Sequence, residues 1–311
     1  MIKRLLRRLL PTSMYGLGKS GLRAYRNRQR AGRLVLSEAA FCRILRVELG
    51  IGCGDIVFVH SSIDRLNLAF PFFKVLGLLR QIVGDQGTLL FPASQLTERP
   101  ETWLAKGEVF DLRRSTTPMG VVPELARRQR GALRSLHPTH SVVALGPLAA
   151  ELIADHHCDP APFGALSPYY KVVQRGGVVV GLGVDVDVLT MVHCVEDLLG
   201  ENFPVATRRL GLGRARVRDL EGTEHEVETE VGHPRMRFRR MLHYFDRHIG
   251  MSGCRRLLIE RVPFYRVDAA QLYEQMRELA ERGVTIYWRG IHRDSFWERP
   301  LSRMAEKLEE R

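Results

Sequence analysis

Apolar residues along this chain follow two rhythms. Continuous short apolar runs at 55–60, 87–91, 141–146, 177–183 and 256–260 read as buried strands, the second closed by Pro92. Between them the apolar positions recur at helical spacing. Ser37 is placed to cap a helix through Ala40, Phe41, Ile44 and Leu45 that stops at Gly50. Further helices are predicted over 72–83, after Pro118-Met119-Gly120 through Val122, Leu125 and Ala126, and over 191–199. Asp268 caps another through Leu272, Met276 and Leu279 that ends at Gly283, and 284–288 follows as a strand. The segment 210–230 differs, with Val217, Leu220 and Val227 alternating around Glu221-Gly222, which predicts an antiparallel hairpin. Strands alternating with helices predict an α/β chain, an α/β/α layered single domain with a mixed sheet and that small hairpin.

Composition narrows the class. Hydrophobic residues make up 45% and charged residues 26%, which excludes wholesale disorder. The best apolar stretch, 66–79, is short and interrupted by Lys74, so no membrane span is expected. Five cysteines without a C-x-x-C pair argue for a reducing, cytoplasmic compartment and against a disulfide framework or zinc ribbon.

Charge divides the chain. The formal net charge is +12, and residues 1–35 alone carry ten Lys or Arg with no acid. In that arm Leu5, Leu6, Leu9 and Leu10 recur at helical spacing among Arg4, Arg7 and Arg8, a basic amphipathic pattern that suits peripheral contact with the inner face of a membrane or an acidic partner, and equally a solvated helix packed on its own domain. The organisation expected is thus a basic arm at 1–35, one domain over 36–295 and a charged helix or tail at 296–311. The body is close to neutral, which counts against nucleic acid as a partner.

Several motifs carry chemistry. Gly181-Leu182-Gly183 follows a strand, but position 186 is Val and no Lys-Ser/Thr follows, so neither a dinucleotide fingerprint nor a P-loop is present. Asp155-His156-His157-Cys158-Asp159 contains metal-ligand types in a row, but adjacent residues cannot converge on one ion, and no metal site is expected. His193 and Glu196 stand three apart on a predicted helix, with Thr190 one turn earlier. A carboxylate beside an imidazole sets its tautomer and stabilises its protonated form, as a general base requires. Their place just past the carboxyl end of a strand is where α/β folds build sites. His60-Ser61-Ser62, Ser115 to Gly120, and Arg134 to Ser141 are polar clusters at strand and helix ends.

Read in order, these stretches resemble the aminoglycoside 3-N-acetyltransferase family. The matching residues are Val59 to Ser62, Gly87 to Pro92, Thr117 to Glu124, Arg134 to Pro138 with Ser141, Pro162 to Gly164 with Ser167-Pro168, and Thr190 to Glu196. The resemblance implies acetyl transfer from acetyl-coenzyme A to an amine of an amino sugar, with no metal. It assigns His193 and Glu196 to catalysis. It assigns His60, Ser61, Ser62, Thr117, Met119, Gly120, His137 and Ser141 to the loops around the cofactor. The basic arm lies outside the family pattern. Direct transfer is expected rather than an acyl-cysteine, because Cys194 points about 100° away from His193 on a helix.

The acceptor is less determined. A polycationic aminoglycoside calls for carboxylates, and only Asp64, Asp111, Asp155, Asp159, Asp185 and Asp187 are scattered near the motifs. Arg65, Arg113, Arg114 and Arg134 stand beside them, and arginine is the usual partner of phosphate, so a nucleotide-linked amino sugar fits as well. Two other readings compete: a non-catalytic protein that binds membrane or nucleic acid through its basic arm, and a hydrolase using His193 with Ser61 or Ser62. The second lacks a G-x-S-x-G elbow.

Overall fold

A computed structural model describes residues 35–287, apart from 206, 208–210, 233–235, 237–239, 242 and 252; the arm at 1–34 and the tail at 296–311 lie outside the described residues. Ten strands are described: β1 (Ile56–Ser61), β2 (Thr88–Pro92), β3 (Val109–Asp111), β4 (Leu133–Arg134), β5 (Val142–Leu145), β6 (Val178–Leu182), β7 (Leu212–Arg218), β8 (Glu224–Glu230), β9 (Cys254–Ile259) and β10 (Val262–Asp268). Seven form one mixed sheet in the order β4-β5-β2-β1-β6-β10-β9, in which β1 runs parallel to both β2 and β6 while the outer pairs are antiparallel.

The central strands are buried on both faces, as parallel strands covered by helices must be. Val57 and Val59 face one core with Phe41, Leu45, Val75, Leu79 and Val122 from the helix Glu38–Arg43, the π-helical turn Ile44–Glu48 that continues it, and the helices Lys74–Val83 and Val121–Arg127. Phe58 and Val179 face the other, with Leu152, Tyr169, Val172, Val195, Leu272 and Met276 from Ala149–Ile153, Pro168–Gln174, Cys194–Leu199 and Ala269–Glu281. The layering is therefore α/β/α. Ser37 and Asp268 cap as expected, accepting from the N–H groups of Ala40 and Gln271.

A separate three-stranded sheet joins the β7-β8 hairpin to β3 and packs Phe110, Val217 and Val227 on Trp103. Two expectations need correction. No strand forms over 284–288 among the described residues: Tyr287 makes one isolated bridge to Arg240, and the edge beside β10 is taken by β9. The helix expected over 191–199 begins as a 3-10 turn, Thr190–His193, before the α-helix Cys194–Leu199.

Gly181 and Gly183 have packing reasons of their own. A Cβ on Gly181 would lie 2.1 Å from the ring of Tyr265, and Gly183 turns at φ +71° with the Ser62 carbonyl 2.8 Å from where its Cβ would be. The turn after β6 is tight because β1 and β10 crowd it.

Candidate active site

β1 has β2 on one side and β6 on the other, so the loops leaving their carboxyl ends diverge around a crevice. His60, the penultimate residue of β1, is buried at 5% exposure, with Nε2 3.4 Å from Thr190 Oγ1. Burial alone pulls its pKa down to about 4, so the ring is neutral. Thr190 opens the turn that carries His193.

His193 and Glu196 meet. Nδ1 of the imidazole stands 2.7 Å from Glu196 Oε1, and the Tyr287 hydroxyl donates to that same oxygen over 2.8 Å. The Glu196 side chain is almost wholly buried while that of His193 keeps 24% exposure. A buried carboxylate is tolerable only with donors around it, and these two supply them. Carboxylate and phenol together favour the tautomer with its proton on Nδ1, leaving Nε2 as the basic nitrogen. Phe163 packs at 5.1 Å from the imidazole ring and His140 at 4.8 Å from Phe163.

These residues line an open cleft of about 370 Å³. His140, Phe163, Thr190, His193, Glu196 and Tyr287 line it together with Arg99, Glu101, Thr207, Met236 and Arg240. Arg240 is anchored by a 2.7 Å hydrogen bond to the Asp187 carbonyl, and Arg99 pairs with Glu101 at 3.6 Å. Cys194 is fully buried and its thiol is pushed well above its ordinary pKa by that burial, so it stays protonated and away from the cleft.

The loops expected at the cofactor converge on the other side of β1. The Ser61 carbonyl lies 3.6 Å from where a Cβ on Gly120 would be, and Ser61 Oγ is buried without a hydrogen-bond partner among the described residues. Ser62 donates its N–H to Leu182, tying this loop to β6. The Thr117 hydroxyl donates to the Ser94 carbonyl (2.7 Å) and accepts from Met119 N–H (3.2 Å), so its hydrogen is committed within the loop. Met119 is exposed beside it. Glu124 closes the loop by accepting from Thr117 N–H and from Arg127 and Arg128; the Arg127 guanidinium holds its carboxyl down at about 2.

His137 and Ser141 do not reach this surface. His137 is fully buried, stacked on His156 at 4.5 Å, and its Nδ1 accepts from His140 N–H; Ser141 donates to the Ala93 carbonyl. Both lie beneath the loops they support. Arg134, weighed in the sequence as a phosphate partner, is likewise interior: it donates to the carbonyls of Ser115 and Ala93 and sits 4.6 Å over the Phe110 ring. Burial lowers its pKa to about 9. Asp111 is occupied by the N–H groups of Arg113 and Arg114 and by Arg218. Among the described residues no group of three His, Cys, Asp or Glu side chains is arranged to hold a metal ion. Tyr287, Arg99 and Arg240 were not found by the sequence reading. They come from segments remote in the chain, and no local spacing marks them.

The sequence model described as aminoglycoside 3-N-acetyltransferase matches residues 58–281. Among curated proteins, the aminoglycoside N(3)-acetyltransferase VII of Streptomyces paromomycinus is 37% identical over 164 residues, covering 48% of this chain and 57% of the relative. The corresponding enzyme VIII of Streptomyces fradiae is 34% identical over 186 residues, covering 54% and 65%. The chain thus spans a little over half the length of the curated relatives it matches. Among solved structures, one of AAC-IIIb with CoASH superposes with a TM-score of 0.64 at 26% identity, over 82% of this chain and all of that one.

Proposed function

From the membership of this chain in the aminoglycoside 3-N-acetyltransferase family, we propose that it transfers an acetyl group from acetyl-coenzyme A to an amine of an amino-sugar acceptor. The observation that carries this reading is the Tyr287–Glu196–His193 chain of contacts at the wall of an open cleft. A sugar amine is largely protonated near neutral pH and attacks a thioester only after losing a proton. The ammonium first gives one proton to solvent; His193 Nε2 takes a second from the nitrogen as its lone pair attacks the thioester carbon, and returns it to the departing thiolate. Glu196 stabilises the imidazolium formed, and Tyr287 keeps the carboxylate in place.

Attack places negative charge on the former carbonyl oxygen. The Thr117 hydroxyl is not free to receive it, since its hydrogen already serves the Ser94 carbonyl. The intermediate collapses with loss of the thiolate, which leaves as coenzyme A on protonation. Ser61, Ser62, Met119 and Gly120 would flank the pantetheine end of acetyl-coenzyme A. His60, neutral and packed under Thr190, positions the turn that presents His193.

For the acceptor, the lining of the cleft favours a nucleotide-linked amino sugar beside an aminoglycoside. Two arginines, Arg99 and Arg240, stand among its walls with Glu101 as the carboxylate not engaged by the His193 pair. The sequence from 231 to 245 that brings Met236 and Arg240 to the cleft holds four arginines and no acid. The test is release of free thiol from acetyl-coenzyme A by the purified full chain, with aminoglycosides and nucleotide-linked amino sugars compared at one salt concentration. Turnover on either class supports acetyl transfer; turnover on neither refutes it.

A further inference from the structure

A second surface stands apart from the cleft, where the chain enters the fold. Leu36 is fixed against the loop after the short helix Ile63–Leu66: its N–H donates to the Asn67 carbonyl (3.0 Å) and its own carbonyl accepts from Ala69 (2.9 Å). Phe70 from that loop is buried, 5.8 Å from the Phe41 ring. The next aromatics turn outward. Phe72 is 45% exposed and Phe73 59%, their rings edge-to-face at 6.0 Å, and Val35 is 54% exposed. Lys74 pairs with Glu38, which ties the aromatic pair to the start of the first helix and so to the exit of the arm. The helix Lys74–Val83 that continues from Phe73 contains no acidic residue and exposes Arg80.

Folding gains nothing from leaving two adjacent phenylalanines in water, and a grouped apolar patch marks an interaction site. What covers it is indicated by the chain attached at its rim. Residues 1–34 hold ten Lys or Arg, no acid, and four leucines at helical spacing in the first ten positions. An anionic surface with an apolar interior answers both features at once. A second copy of this chain answers only the apolar one, since it would bring two strongly basic arms to one interface.

We propose that Val35, Phe72 and Phe73 seat at headgroup depth in an anionic bilayer, and that the basic arm supplies the electrostatic attraction that holds this face of the domain against it. The two contributions are of different kinds. Lysines and arginines near an anionic leaflet contribute about a fivefold gain in binding each, lost at high salt. Apolar side chains add a salt-insensitive part, and stable attachment commonly needs two such signals together.

The experiment is sedimentation of the full chain with vesicles of phosphatidylcholine containing about 30% phosphatidylglycerol, against vesicles of phosphatidylcholine alone. Binding is expected to the first and not to the second, falling steeply between about 0.1 and 0.5 M salt. The double substitution Phe72→Ser, Phe73→Ser is expected to weaken binding about tenfold with an unchanged melting temperature, because both side chains already lie in water. The triple substitution Arg4→Ser, Arg7→Ser, Arg8→Ser is expected to weaken it on the order of a hundredfold. Failure of the full chain to bind anionic vesicles overturns the proposal, as does equal binding by the Phe72/Phe73 variant. Concentration-dependent self-association that the same variant abolishes assigns the face to a second copy and also overturns it.

Discussion

Tyr287 donates a hydrogen bond to the one carboxylate oxygen of Glu196 that also faces His193 Nδ1, so a residue at the end of the described fold completes a pair separated from it by some ninety positions. The phenol lies 3.5 Å from His193 Nδ1 as well, and it is held in place by packing against Phe203. Glu196 thereby keeps one orientation while its partner gains and loses a proton. Tyr287→Phe removes the donor and preserves the ring. We expect turnover to fall by about tenfold with the KM for acetyl-coenzyme A unchanged, the size of one hydrogen bond to a charged group. Turnover equal to that of the parent assigns Tyr287 to packing alone.

His193→Ala should abolish transfer while coenzyme A still shifts the melting temperature. A general base contributes about 10²–10⁴-fold, so a variant rate within about tenfold of the parent rejects the assignment. Glu196→Gln should cost less, since it keeps a hydrogen-bond acceptor and loses the charge that favours the imidazolium.

Stability should fall with acid from near pH 6.5 downward, through two buried histidines. His60 and His156 are buried neutral, with pKa values drawn by desolvation down to about 4 and about 3. His156 shows why: its Nε2 lies 3.0 Å from the Pro162 carbonyl and its Nδ1 2.9 Å from Ser135 Oγ, an arrangement made for one ring proton. Unfolded histidine titrates near 6.5. Above that pH neither state is protonated at these sites and the full stability is present. Below it the unfolded chain takes up protons that the fold refuses, so stability is lost as pH drops from 6.5 through 4, by about 3 kcal/mol for each group at the acid end. Urea midpoints at pH 7, 6 and 5 measure this. Equal midpoints across that range contradict it.

Much of this was legible in the chain because it is local. The His193/Glu196 pair is a three-residue spacing on one turn, the caps at Ser37 and Asp268 are single residues before apolar periodicity, and the hairpin of β7 and β8 is an alternation around Glu221-Gly222. What stayed hidden depends on distant partners. β10 was missed because 262–268 mixes Pro263 and Arg266 into an apolar run, and only pairing with β6 on one side and β9 on the other makes it a strand. The polar residues Arg134, His137 and Ser141 looked like candidates for the surface of a site. Each instead finds buried partners, Ala93 for two of them, that no sequence window contains.

The proposed preference for an anionic acceptor can be tested at the arginines of the cleft. Arg240 is held by the Asp187 carbonyl through Nη1, its one side-chain hydrogen bond among the described residues, and Arg99 is balanced by Glu101. A polycation entering this cleft meets Arg240 as a repulsion, whereas a phosphorylated sugar meets it as a bidentate partner. Arg240→Ser should therefore raise the KM for a nucleotide-linked amino sugar by about tenfold or more, the size of a hydrogen bond between charged groups, while leaving or lowering the KM for an aminoglycoside. Coenzyme A also carries phosphates, so the KM for acetyl-coenzyme A is measured alongside. If that constant rises and the acceptor constants stay where they were, Arg240 serves the cofactor and the preference for an anionic acceptor is wrong.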